Sequence, residues 1–154
     1  PTTAKSAGQV WESPGMLTGR AATLGDGESR RPTAPSCKRM DKFENLEVWR
    51  KAHQLTLHIY QLTKHFPSDE RFGLVAQMRR SATSAPTNIA EGAERRSSKD
   101  RIHFHDIART SLEELKYQLM LSRDLRYITA QEYAEAVEHA REVGRMLRGL
   151  DRSL

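Results

Sequence analysis

The chain has 154 residues, one cysteine and 37% hydrophobic residues, a size that predicts one ordinary domain with room for a tail. Charged residues at 29% and aromatics at 6% exclude a collagen-like chain, and the lone Cys37 excludes an internal disulfide or a cysteine-based zinc site. No apolar run approaches the ~18 residues of a membrane span. No segment has the charged-then-apolar order of a signal peptide. The expected address is the cytoplasm, with no membrane partner.

The net charge of +5 invites a nucleic-acid reading, but its distribution tempers that. Six of the 25 basic and three of the 20 acidic residues lie in 1–39, leaving 19 and 17 for the remainder. The tail thus carries +3 and the body +2. Residues 1–39 also hold four of the six prolines and five of the nine glycines, without a repeated apolar period. Such a segment buries too little surface to offset its ordering entropy, which predicts a disordered N-terminal extension. Met40 reads as a second start, and 40–154 as the folded domain.

The first predicted helix covers about 45–65, with Asn45 as N-cap. Val48, Ala52, Leu55, Ile59, Leu62 and Phe66 recur at three- and four-residue steps and draw one apolar stripe. Trp49, Thr56 and Tyr60 widen it, so more than one packing partner is expected. Pro67 ends the helix, because the residue before proline is pushed out of the helical region.

The second helix is expected over 69–94, with Val75, Met78, Ala82, Ala85, Ile89 and Ala93 inward. Pro86 lies inside it and predicts a kink rather than a break, since the apolar phase continues through it. Its opposite line includes Gln77, Arg80, Ser84, Thr87, Asn88 and Glu91. The stretch 81–88 is small, β-branched and helix-poor, unlike an ordinary solvated face. That predicts a helix covered on two sides.

Ser97 with Asp100 resembles a capping box and opens a third helix over 98–127, with Phe104, Ala108, Ser111, Leu112, Leu115, Leu119 and Ser122 inward. Asp106, Arg109, Glu113, Lys116 and Lys99 are expected outward. Thr129 with Glu132 is a cleaner box and opens the last helix, 130–150, which buries Tyr133, Val137, Ala140, Val143, Leu147 and Leu150. Short loops between such helices predict an all-α, antiparallel up-down-up-down four-helix bundle.

Motifs for chemistry are missing. The histidine pairs 53/58 and 103/105 do not share a helix face at i, i+4, and His65 and His139 stand apart, so no metal site is expected. Glu113 and Glu114 diverge around a helix. The phosphate-cradling glycine loops and the G-x-S-x-G elbow are absent from the sequence. No enzyme and no cofactor are predicted. The informative cluster is Arg95, Arg96, Lys99 and Arg101 at the join of helices two and three. Two readings stand: a solvated loop with helix-end salt bridges, or phosphate contact at a helix start. No aromatic interleaves the cluster, so base stacking is not expected.

The runs Phe43-Glu44-Asn45-Leu46-Glu47-Val48-Trp49, Gln77-Met78-Arg79-Arg80-Ser81-Ala82, Asn88-Ile89-Ala90-Glu91-Gly92 and Ser111-Leu112-Glu113-Glu114-Leu115 with Gln118-Leu119 strongly resemble the four-helix bundle proteins encoded in intervening sequences of 23S ribosomal RNA. The likeness covers about 43–150. It implies a protomer that assembles as a ring-like homopentamer without known enzymatic activity. A related branch, the accessory variability proteins of diversity-generating retroelements, implies a nucleic-acid and reverse-transcriptase partner. Carried over, Arg79, Arg80, Arg95 and Arg96 are candidates for contact with RNA or DNA, joined by Lys99 and Arg101 of the cluster. Trp49, Tyr60, Ser84, Pro86, Asn88 and Glu91 are candidates for oligomer or helix packing. The alternative is a protein-interaction scaffold that binds no nucleic acid.

Overall fold

This computed structural model describes residues 42–154, so the expected disordered segment 1–39 lies outside the described residues. Among the described residues there are four α-helices and no strands: α1 (Glu47–Leu62), α2 (Leu74–Ala93), α3 (Ser98–Asp124) and α4 (Ala130–Asp151). Short 3-10 turns precede α1 (Lys42–Asn45), follow it (Thr63–His65) and lead into α2 (Ser68–Arg71). Each helix packs on the next, and α4 returns to α1. The α2–α3 contact is the most extensive of the four.

The apolar stripes account for the core. All six stripe residues of α1–Phe66 are buried, as are Val75, Met78, Ala82, Ala85 and Ile89 of α2. They meet Ala108, Leu112, Leu115 and Leu119 of α3 and Val137, Ala140, Val143 and Leu147 of α4. Leu115, Leu119 and Leu147 are fully enclosed, and side chains of this kind each contribute ~1.5–3 kcal/mol on burial. Ala93, Phe104, Tyr133 and Leu150 are half-buried at the margins.

The helix ends depart from the expected ones for local reasons. Asn45 belongs to the 3-10 turn, so the N-cap of α1 is Leu46, without a side-chain cap. The second helix begins at Leu74 rather than 69, because Gly73 (φ −96°, ψ −113°) breaks the path after the 3-10 turn. Glu70 supplies the cap instead: its Oε2 accepts the Leu74 N–H at 3.1 Å and its Oε1 accepts the Tyr127 hydroxyl at 3.2 Å. Ser97 is the N-cap of α3, but its side chain makes no capping bond. It sits on an exposed corner, where solvent can take the first-turn N–H groups.

The third helix stops at Asp124, short of 127. Arg126 has φ 62°, the Tyr127 N–H reaches Ser122 O and the Arg126 N–H reaches Arg123 O. This is a Schellman closure with arginine where glycine is favoured. At α4 the Thr129–Glu132 box is formed, with Glu132 N–H on Thr129 Oγ1 and Thr129 N–H on Glu132 Oε2. The Thr129 backbone and hydroxyl donors hold the Glu132 carboxyl below the ordinary carboxylate range.

The second helix runs unbroken through Pro86. Proline has no N–H, so the Ala82 carbonyl one turn earlier loses its helical donor. Thr56 of α1 replaces it: the buried Thr56 Oγ1 lies 2.8 Å from Ala82 O and 3.0 Å from Ala52 O. A buried carbonyl is thereby satisfied across the α1–α2 seam, which is why proline is tolerated inside this helix.

Candidate functional site

Two unlike surfaces flank the exposed line of α2, which consists of Ala76, Gln77, Arg80, Thr87 and Glu91. On the α1 side a groove of about 560 Å³ is lined mainly by apolar groups, among them Trp49, Leu57, Tyr60 and Pro86, with Glu91 at its edge. Trp49 stacks on His53 (ring centroids 5.2 Å, 4° apart in plane) and packs on Phe43 at 5.0 Å. Leu57 is 52% exposed and Tyr60 39%. Four of the six candidate packing residues, Trp49, Tyr60, Pro86 and Glu91, therefore share one groove.

Ser84 and Asn88 face the other way. Ser84 Oγ is 2.8 Å from Ser111 Oγ of α3, and Asn88 Nδ2 donates to Ser84 O at 2.8 Å and to Ser84 Oγ at 3.1 Å. Both are half-buried. Elsewhere on α3, Ile107, Tyr117 and Met120 are exposed.

The six candidate phosphate-contact residues do not form one patch. Arg79 and Arg80 sit in the first half of α2, ~24 Å of helix from Arg95 and Arg96. Arg79 is half-buried, its guanidinium 4.7 Å from the Tyr60 ring centroid and its Nε donating to Thr63 Oγ1 at 3.0 Å. Arg95 lies over Phe104 at 4.6 Å and pairs with Glu91 at 4.0 Å. Arg101 donates from Nε to Arg95 O at 2.8 Å, closing the end of α2. All three thus make contacts within the chain. Arg80, Arg96 and Lys99 are exposed and form no ion pair among the described residues.

At the end of the bundle near the α2–α3 turn, His105 is 97% shielded, and its Nδ1 donates to Asp151 Oδ1 at 2.5 Å. Arg109 bridges Asp151 and Asp106. Burial alone would raise the Asp151 carboxyl, but hydrogen bonds from His105 and Arg109, with their charges, outweigh it and hold Asp151 below the ordinary range. No group of three or more His, Cys, Asp or Glu among the described residues is placed to hold a metal.

Sequence reasoning missed several interior polar groups: His105, Gln118 and Ser81 are buried. Gln118 Nε2 donates to Ser81 Oγ at 3.2 Å across the α2–α3 seam. It also missed a basic row on α4, Arg141, Arg145 and Arg148, whose i, i+4, i+7 spacing was the available signal.

These features define a small helical bundle whose distinctive surfaces are apolar and cationic. A family model for the 23S rRNA-intervening sequence protein matches residues 44–149, and the chain belongs to that family. The chain is also similar to a protein of unknown function from the S23 ribosomal protein family of Bacteroides thetaiotaomicron, whose crystal structure was determined at 1.70 Å. The two are 28% identical with a TM-score of 0.63, over 68% of this chain and 97% of that one. None of the curated proteins matches the chain. Among the described residues no helix is long and apolar enough to cross a membrane.

Proposed function

We propose that this chain is a nonenzymatic, cytoplasmic up-down-up-down four-helix bundle that assembles into a closed ring of copies and touches RNA or DNA phosphates at the α2–α3 corner. The observation that carries the reading is the solvent-open apolar groove around Leu57 and Tyr60, together with the unlike exposed apolar side chains Ile107, Tyr117 and Met120 on α3. Unlike faces join head to tail, and head-to-tail contacts close into rings when the rotation permits. A pentamer is the ring that the family resemblance implies.

Ring assembly repeats a modest cationic corner. Arg96 and Lys99 provide the accessible charge, while Arg95 and Arg101 fix the turn that presents them. The uncapped start of α3 adds outward N–H groups. Five weak contacts presented on one surface gain avidity. The relation to accessory variability proteins belongs to the same proposal.

The test is fluorescence anisotropy of a labelled RNA with the full chain between 50 and 200 mM salt, a range in which several phosphate contacts lose orders of magnitude in affinity. Affinity should fall with salt and again in Arg96→Ala and Lys99→Ala. Binding indifferent to salt and to both substitutions overturns the nucleic-acid reading. The second reading, a protein-interaction scaffold, is favoured by the engagement of Arg79 and Arg95 with Tyr60 and Phe104, and it predicts assembly without RNA binding.

A further inference from the structure

On the far side of the bundle from the apolar groove, α3 and α4 part to form a cleft of about 220 Å³. Its floor is made by Ala140 and Gly144, one turn apart on α4. A Cβ added at Gly144 would meet only Arg148 Nη1, at 3.8 Å. Small residues thus leave a recess at the centre of a cationic wall. Arg109 and Lys116 reach it from α3, and Arg141, Arg145 and Arg148 from α4. Glu113 is the one carboxylate in the lining.

The pairing of these cations determines what the cleft can accept. Arg109 is held by Asp106 and Asp151, and Lys116 by Glu113 at 2.6 Å. Glu138 takes both Arg145 (2.8 Å) and Arg141 (3.9 Å), and those donors hold its carboxyl below the ordinary range. Arg148 forms no ion pair among the described residues and lies over Gly144 at the mouth. The pairs on Glu113 and Glu138 are surface pairs with exposed carboxylates, so exchanging them for a ligand oxygen costs little. A tetrahedral anion would instead be met by planar guanidinium forks on one side and the Lys116 ammonium on the other, the arrangement that suits phosphate.

We propose that the α3–α4 cleft, with Arg148, Arg145 and Lys116 as its principal donors, is a binding site for a phosphate group. The cleft is smaller than the ~300–1,000 Å³ of sites that enclose drug-sized ligands. It therefore takes orthophosphate or the phosphate end of a small monoester, with the remainder of the ester outside. Arg96 and Lys99 play no part, so the site is independent of the α2–α3 corner and of RNA binding there.

The experiment is a calorimetric titration of the full chain with inorganic phosphate and, in a second arm, with glycerol phosphate. At least one should bind with a dissociation constant on the order of 1 mM or tighter, and the tighter of the two identifies the source. Arg148→Gln should weaken that binding by about tenfold or more, the loss of one charge-assisted contact. Gly144→Leu, which fills the recess, should abolish it. Helicity by circular dichroism certifies each variant. Failure of both probes to bind, or binding that survives Arg148→Gln in a folded protein, overturns the proposal.

Discussion

The α2–α3 and α3–α4 seams share helix α3, and each has one buried glycine contributed by its other helix, yet they use the glycine oppositely. At the α2–α3 seam a Cβ on Gly92 would come within 3.3 Å of Phe104 Cβ and 3.4 Å of the His105 ring. The missing side chain is what allows the helices to meet, and Ser81, Ser84, Ser111 and Gln118 hydrogen-bond across the joint. At the α3–α4 seam the space over Gly144 holds only the end of Arg148. There the missing side chain opens a charged cleft. A small residue on a buried helix face therefore signals either closeness or vacancy, and only the facing element decides which.

The sharpest way to break this contrast is overfilling. Ala85→Leu places extra carbons at a position that is 1% exposed and should cost ~1–3 kcal/mol or more in urea unfolding. A comparable loss, also ~1–3 kcal/mol, is expected for Thr56→Val, which keeps the shape but leaves the Ala82 carbonyl unsatisfied. That cost should shrink in a Pro86→Ala background, where the helix regains its own donor, and a double-mutant cycle reads the coupling directly.

The two glycines should then respond with opposite signs. Gly92→Ala is expected to destabilise, because Phe104 Cβ cannot swing away, whereas Gly144→Ala should gain up to ~1 kcal/mol of helix propensity. Equal effects in thermal unfolding would erase the distinction between the seams. The smallest effect concerns pH. Asp151 has a folded pKa below its unfolded value, so its contribution is present above pH ~4 and fades as pH falls through the lower folded value. The melting-temperature gap between wild type and Asp151→Asn should therefore narrow below pH ~4; a gap constant down to pH ~2 would contradict the assignment.

Periodicity made the core legible, because burying a stripe requires a three- and four-residue recurrence: Val48 through Phe66 are where the spacing puts them. The Thr129–Glu132 box was legible for the same reason, as both partners lie within one turn. The helix start at Leu74 was not, since it depends on Glu70 reaching forward and on Tyr127 arriving from a distant loop. The turn at Arg126 carries no glycine or asparagine to announce it. The burial of His105 and Gln118 was not legible, because their partners, Asp151 and Ser81, lie 46 and 37 positions away. Likewise the sequence did not show that Arg79 lies over the Tyr60 ring and Arg95 over Phe104.

What most needs weighing is the proposed assembly, in which copies of the chain would cover solvent-facing Leu57, Tyr60 and Tyr117. Light scattering coupled to size exclusion, run on the intact chain at micromolar concentration, should return five protomer masses. A single-protomer mass would contradict the account at its centre.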